Sequence, residues 1–245
     1  MTEQLLTQLR QLNLAGMASA LYNQQEQPGP FAELGFTDRL ALLVDQEMLQ
    51  RDQRKQQRLI SQAHLKLAAS IQQIDYEHPR NIERSRVAQL AGGEWLSRAQ
   101  NLLISGPCGS GKTFLACALG HQACLQGHSV RYFRMSRLML TLSQSKADGS
   151  YHKTLKQLAK VALLIIDDWG LEPLSAAQRN DLLEITDDRH GHSSTLVISQ
   201  LPTDQWYNCI GDNTLADAIL DRLMHNAHRL VLKGESMRKA MVCVD

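Results

Sequence analysis

The sequence predicts an α/β fold in which a parallel β-sheet is flanked by helices and preceded by a small all-helical domain. From residue 100 onward, short apolar runs alternate with helical patterns, which is typical of a parallel sheet covered on both faces. A glycine-rich loop separates the first apolar run from the helix that follows it. Residues 1–75 contain almost no strand pattern. We therefore predict two domains, a helical one over 1–75 and an α/β one over 76–245.

The first domain is predicted to be helical because its apolar residues recur at helical spacing, beginning with Leu5, Leu9 and Leu12. A long polar helix is predicted over 37–67. One face of it carries a basic stripe, because residues three and four apart lie together on a helix. The stripe consists of Arg51, Arg54, Lys55 and Arg58. It is either a solvated face or a contact surface for nucleic acid. His78-Pro79-Arg80 and Gly92-Gly93 mark a linker into the second domain.

Four short runs, three of them apolar, predict strands of the α/β domain, over residues 101–105, 130–133, 161–166 and 195–199. Helices are predicted over 114–125, 136–142 and 178–188. The run 161–166 is continuously apolar, which indicates a central strand buried on both faces. Ligands of such sheets bind at the carboxyl ends of the strands, so the loops there form the predicted site.

The glycine-rich loop has the sequence Gly106-Pro107-Cys108-Gly109-Ser110-Gly111-Lys112-Thr113, and Phe114 follows it. Its glycines allow a tight turn that surrounds a phosphate with backbone N–H groups. Lys112 is suited to reach the β- and γ-phosphates, and the Thr113 hydroxyl is suited to bind Mg²⁺. The next helix presents its N-terminus to the same anion. The loop therefore predicts binding of a nucleoside triphosphate with Mg²⁺.

Two acidic residues, Asp167 and Asp168, follow the central strand. A carboxylate there can hold the Mg²⁺ that bridges the β- and γ-phosphates, and a second one can orient the attacking water. We assign the first role to Asp167 and the second to Asp168; the alternative is a simple turn cap. Ser199 or Gln200, at the end of the next strand, could bond the γ-phosphate or the water, or merely form a turn.

Composition excludes several classes of protein. The longest apolar run, 161–166, is far too short to span a bilayer, and the N-terminus lacks the pattern of a secretion signal. The five cysteines form no CxxC pair, as expected of reduced thiols in a cytoplasmic protein. The net charge is only +1, so any affinity for nucleic acid must come from local patches.

The phosphate loop and four further segments together resemble the IstB family. These segments are residues 163–170, 198–202, 215–229 and 233–239. IstB proteins are AAA+ ATPases encoded beside the transposase of one class of bacterial insertion sequence, and they are related to the DnaC and DnaI helicase loaders. The resemblance covers nearly the whole chain, and 214–239 is its most specific part. It implies a homo-oligomeric ATPase that assembles on double-stranded DNA and delivers it to the cognate transposase.

The same resemblance implies roles for single residues. Asp167 would bind Mg²⁺ and Asp168 would be the catalytic acid, while Gln200 would sense the γ-phosphate. Arg222 would act in the site of a neighbouring subunit, and Arg238 would be a second sensor. Many AAA+ proteins have Glu at the position of Asp168, so its shorter side chain predicts slow turnover. Because the chain ends soon after Arg238, no separate C-terminal helical lid is expected.

Nucleic-acid contacts are expected in a basic stretch of the α/β domain. Between residues 131 and 160 the only acidic residue is Asp148. The candidate phosphate-binding residues there are Arg137, Lys146, Lys153 and Lys156. Gly149-Ser150 is expected to cap a helix on which Lys153 and Lys156 share a face. The alternative is a solvated helix.

Two other functions compete with the transposition helper. A replicative helicase loader would prefer single-stranded DNA and a helicase partner. A phosphotransferase for a small molecule would need an acceptor pocket and mobile arginines, and the two acids with a candidate arginine acting between subunits suit oligomeric hydrolysis better.

Overall fold

The computed structural model describes residues 2–237 of the 245-residue chain. Its contacts divide it into two compact units, one ending at Arg58 and the other beginning at Leu59. The division falls earlier than residue 75, because Leu59, Ala63 and Ile74 are buried in the core of the second unit.

The first unit is helical. Helix α1 (Thr2–Gln11) and helix α2 (Ala15–Glu26) precede the long helix α3 (Phe36–Ala63), which crosses the division between the units. Within this unit the carboxylate of Glu47 accepts hydrogen bonds from the backbone N–H groups of Gly16 and Met17, at 2.7 and 3.2 Å. Helix α3 ends before the predicted residue 67 because His64 adopts a left-handed backbone conformation.

The second unit alternates helices and strands. Its first half contains α4 (Arg84–Ala91), α5 (Glu94–Ser97), β1 (Asn101–Ser105), α6 (Lys112–Leu125), β2 (Val130–Arg134), α7 (Met135–Ala147) and α8 (Tyr151–Lys160). Its second half contains β3 (Leu163–Trp169), α9 (Ala176–Arg189), β4 (Ser194–Ser199), α10 (Trp206–Ile210), α11 (Asn213–Met224) and β5 (Ala227–Val231). The four strands expected from these runs of the sequence are all present.

The strands form a parallel sheet in the order β2-β3-β4-β1-β5. Successive side chains of a strand point to opposite faces. Leu102 and Ile104 of β1 therefore join one apolar core, and Leu103 joins the other. The predicted fold class, a parallel sheet between helical layers, is confirmed.

Two strands differ from the expectation. Strand β3 begins at Leu163 and continues through both acidic residues to Trp169, with a register shift against β4 between Ile166 and Trp169. Strand β5 was not predicted, because it lies at the sheet edge and its polar residues His228 and Arg229 interrupt the apolar pattern. In the part of the chain that the structure describes, no helix is long and apolar enough to span a membrane.

Candidate nucleotide-binding site

The phosphate loop connects the carboxyl end of β1 to the first residue of α6. Its backbone is left-handed at Gly109 and Gly111, with φ of 80° and 88°. A Cβ atom at Gly111 would lie 2.3 Å from Nη1 of Arg80, so glycine is favoured by the conformation and any side chain would have to displace Arg80. Pro107 and Cys108 are exposed at the loop tip, whereas Phe114 packs against the first apolar core.

Lys112 is held against the loop. Its Nζ atom donates hydrogen bonds of 2.7 Å to the backbone oxygens of Gly106 and Pro107. Burial lowers the pKa of Lys112, while the nearby Cys108, Asp167 and Asp168 act in the opposite direction. The ammonium group therefore lies on the loop that would surround a phosphate.

The side chain of Asp167, on β3, contacts residues of two other elements, α6 and β2. The Asp167 Oδ2 atom accepts hydrogen bonds from the Thr113 hydroxyl of α6 at 2.9 Å and from the Tyr132 hydroxyl of β2 at 2.6 Å. Burial and the bond to Asp167 raise the pKa of Tyr132, so its phenol remains a donor. Tyr132 was not predicted from the sequence, because only the pairing of β2 with β3 brings it to the carboxylate.

These oxygen atoms fit a magnesium ion. Mg²⁺ prefers oxygen ligands and is usually held by one or two protein groups together with substrate phosphates. Thr113 and Asp167 provide such a pair at the phosphate loop. Thr113 and Asp167 are the residues that would hold the ion, since their oxygen atoms lie 2.9 Å apart beside the phosphate loop.

Asp168 has an unusual backbone conformation for a residue other than glycine, with φ of 63°. Its N–H group donates to Asp167 Oδ1 at 2.8 Å, and its own carboxylate lies 3.6 Å from Nε of Arg134. Left-handed non-glycine residues store strain and concentrate at functional sites. The backbone here turns the two neighbouring carboxylates toward different partners.

The end of β4 separates the two polar candidates of that strand. Ser199 is buried, and its hydroxyl donates to the backbone oxygen of Trp169 at 2.8 Å. Gln200 follows it and is exposed. Since β4 lies between β1 and β3, Gln200 lies at the carboxyl ends of the strands, where the phosphate loop and the two acids also lie.

Arg222 lies near the amino end of β1, at the end of the strands opposite to the phosphate loop. It belongs to the last turn of α11, and its backbone oxygen accepts a hydrogen bond from Asn101, the first residue of β1. The phosphate loop follows the last residue of β1, about 13 Å away at the usual rise of a strand. Arg222 pairs with Asp187 in the same chain, Nε to Oδ1 at 2.6 Å. Arg238 lies outside the described residues.

The polar linker expected at residues 78–80 is part of the site. Arg80 is only 3% exposed, and its guanidinium contacts the phosphate loop. No signal in the sequence indicated this, because His-Pro-Arg has the composition of an exposed turn.

The candidate DNA contacts are in different environments. All four residues of the basic stripe, Arg51, Arg54, Lys55 and Arg58, are exposed, and Arg51 pairs with Glu47 at 2.7 Å. In the second unit Arg137, Lys153 and Lys156 are also exposed, on α7 and α8.

Two expectations for this basic region need correction. Lys146 forms an ion pair with the buried Asp181, Nζ to Oδ1 at 2.5 Å, and its ammonium group lies over the ring of Tyr151. Ser150 does not cap α8 with its side chain, because its N–H and hydroxyl both bond to Asp148.

Comparison with known proteins places these features in a family. A family model described as IstB-like ATP binding protein matches residues 7–242. The insertion-sequence ATP-binding protein y4pL of Sinorhizobium fredii is 44% identical over 96% of this chain and 95% of its own length. The ATP-binding protein of insertion sequence IS1162 of Pseudomonas fluorescens is 48% identical over 83% of this chain and 88% of its own length.

Among solved structures, the DnaC helicase loader is similar in fold, with a TM-score of 0.54. Its sequence is 23% identical, and the match covers 64% of this chain and 93% of the loader. At this identity the likeness supports the AAA+ fold alone.

Proposed function

The chain belongs to the family of IstB-like ATP-binding proteins, and on this basis we propose that it hydrolyses ATP, assembles on duplex DNA while ATP is bound, and delivers that DNA to a partner transposase. The observation that carries the enzymatic part is the contact between Thr113 and Asp167 beside the phosphate loop. It joins a hydroxyl and a carboxylate that would hold a magnesium ion beside the bound phosphates.

In this proposal each residue around the loop has a separate task. Mg²⁺, when bound, offsets part of the negative charge of the phosphates. Lys112 adds a positive charge from the protein, since its Nζ atom already lies on the loop. Asp168 orients the attacking water, and Gln200 donates a hydrogen bond to the γ-phosphate from the neighbouring strand end.

Arg222 is proposed to act in the site of an adjacent copy of the chain. Its place at the opposite end of the strands keeps it from the phosphate loop of its own chain. An arginine supplied by another subunit stabilises the charge that develops on the transferred phosphate. The proposed hydrolysis therefore requires assembly.

The DNA-binding part rests on exposed positive charge. Lys153 and Lys156 are exposed on one face of α8, and the stripe from Arg51 to Arg58 is exposed on α3. Contacts between such groups and phosphates carry no base code. They suit the capture of DNA with little sequence preference.

The link to transposition rests on the names of the relatives. Proteins of 44% and 48% identity are ATP-binding proteins of insertion sequences, whereas the helicase loader shares only the fold. Delivery of DNA to a transposase is therefore favoured over loading of a helicase.

The test is binding to single- and double-stranded DNA of equal length, with ADP and with a non-hydrolysable ATP analogue, at one fixed salt concentration. We expect the analogue to promote length-dependent binding to duplex. Lys112→Ala serves as the matched control and should lose the effect of the analogue.

Each other outcome rejects a defined part of the proposal. Preference for single strands would favour the helicase loader. No binding to either DNA would favour a small-molecule phosphotransferase. Equal binding with and without nucleotide, in wild type and in Lys112→Ala, would show that ATP does not control assembly.

A further inference from the structure

Arg80 is a buried cation that contacts the phosphate loop. Its Nη1 atom donates to the backbone oxygen of Ser110 at 3.3 Å and lies 2.9 Å from the sulfur of Met237. Its Nη2 atom donates to the backbone oxygen of Asp75 at 2.5 Å. One guanidinium therefore joins the phosphate loop to two segments that are distant in sequence.

The charge of Arg80 is not balanced by an ion pair within residues 2–237. Its protein partners are backbone oxygens and a sulfur, and its Nε atom is buried without a hydrogen bond. The carboxylate of Asp75 instead accepts the N–H of Glu77 at 2.8 Å. Burial lowers the pKa of Arg80, and the nearby charge of Asp75 acts in the opposite direction without forming an ion pair with it. Burying a charge costs free energy unless the charge is paired and hydrogen-bonded, so packing alone does not account for this arginine.

The contacts of Arg80 act on one particular peptide group. The oxygen of Ser110 and the N–H of Gly111 belong to the same planar unit and point in opposite directions. The preceding carbonyl, of Gly109, is held in a similar way by the N–H of Met237 at 3.0 Å. Because hydrogen bonds in a chain polarise one another, a cation on the Ser110 oxygen makes the Gly111 N–H a stronger donor on the opposite side.

We propose that Arg80 is a positioning residue of the phosphate loop, which orients and polarises the Ser110–Gly111 peptide so that the Gly111 N–H binds a nucleotide phosphate. This inference rests on the proposed nucleotide-binding function and deepens it. It assigns to the segment before α4 a direct influence on phosphate affinity.

The test compares Arg80→Met, Arg80→Lys and the control Arg84→Met in the full-length protein. Arg84 is exposed and lies over the ring of Tyr76, 4.7 Å from its centroid. We expect Arg80→Met to weaken ATP binding by about tenfold, as for loss of a hydrogen bond to a charged group. Arg80→Lys should restore part of the affinity, and Arg84→Met should bind as wild type does.

Two further readouts separate positioning from a structural role. Thermal unfolding without nucleotide should show Arg80→Met still folded at the temperature of the binding assay, with a modestly lower Tm, because the backbone oxygens of Ser110 and Asp75 lose their donor. In protein labelled with ¹⁵N-glycine, the amide nitrogen signal of Gly111 should move upfield in Arg80→Met but not in Arg84→Met.

Three results would overturn the inference. ATP affinity of Arg80→Met within twofold of wild type would do so. So would an unmoved Gly111 signal, or weaker binding in Arg80→Met that Arg80→Lys does not partly restore. If wild type itself fails to bind ATP, the proposed function fails and the inference with it. If wild type binds ATP and Arg80→Met binds it equally well, only the inference fails.

Discussion

Arg134, the last residue of β2, lies 3.6 Å from Asp168 of the neighbouring strand, measured from Nε to Oδ2. The acid proposed to orient water is thus already engaged by a cation of its own chain. The backbone of Asp168 is left-handed, with φ of 63°. Its carboxylate can therefore change partner only by rotation of the side chain. The pair is partly exposed, with 51% and 33% of the two side chains accessible, and such pairs are weak enough to exchange partners.

Replacement of Arg134 by alanine should raise the rate of ATP hydrolysis without DNA, by roughly threefold, because a pair worth well under 1 kcal/mol no longer competes for the carboxylate. ATP affinity should stay unchanged. The measurement is steady-state phosphate release, with Arg137→Ala of the adjoining helix as the control. A rate below that of wild type would mean that Arg134 supports Asp168 instead.

Asp167→Asn should reduce hydrolysis at least about a hundredfold, because an amide is a poorer ligand for Mg²⁺ than a carboxylate. A titration of hydrolysis against Mg²⁺ concentration checks this, and the midpoint should move to higher concentration. Tyr132→Phe removes only a donor to the same oxygen and should shift the midpoint much less. Identical midpoints for Asp167→Asn and wild type would remove Asp167 from the metal site.

Arg222→Ala should retain ATP binding and lose hydrolysis, since its place at the opposite end of the strands excludes it from its own site. Mixing it with Asp168→Asn subunits should restore part of the activity, at interfaces that combine an intact acid with an intact arginine. Asp187→Asn is the matched control, because it frees Arg222 from its ion pair without removing it. Absence of recovery at every mixing ratio would contradict action between subunits.

The double variant Lys153→Gln/Lys156→Gln should weaken DNA binding and make it less sensitive to salt. Loss of two phosphate contacts lowers the slope of log K against log salt by about 1.8. Lys146→Gln is the control: it leaves the slope unchanged but lowers stability, because the buried Asp181 loses its cation. Equal slopes for wild type and the double variant would exclude α8 from the DNA surface.

Arg189→Met should lower the free energy of unfolding by about 3 kcal/mol, because several buried carbonyl groups lose their donor. Arg189 is 1% exposed and donates to the backbone oxygens of Leu158, Val161 and Ser194. Urea unfolding provides the measurement. The free energy of unfolding of Arg189→Lys should lie between those of wild type and Arg189→Met. A loss below about 0.5 kcal/mol would show that water replaces these bonds.

The sequence predicted the parts of the site that depend on local pattern. The loop with Lys112 and Thr113 was found because its glycines, lysine and threonine are consecutive, and Asp167 because it ends an apolar run. Tyr132 and Arg80 were not found, because each acquires its partner only when distant segments pack together.

The fold was predicted to a similar extent and for similar reasons. Buried strands such as β1 and β4 have an apolar centre with short polar residues at their ends, so their ends agree with the pattern within a residue. The edge strand β5 exposes polar residues and gave no such pattern. The end of α3 depends on one left-handed residue, His64, which periodicity does not reveal.

The position of Arg222, at the opposite end of the strands from the phosphate loop, determines how active sites are counted. Under the proposed role, one chain carries two halves that belong to two different sites, and a lone copy contains no complete one. A closed ring then has as many complete sites as subunits, whereas an open filament has one fewer. In a growing filament, the terminal subunit that lacks a donor neighbour would keep its ATP. ADP would then accumulate only at the interior sites, and its amount would increase with the age of the assembly.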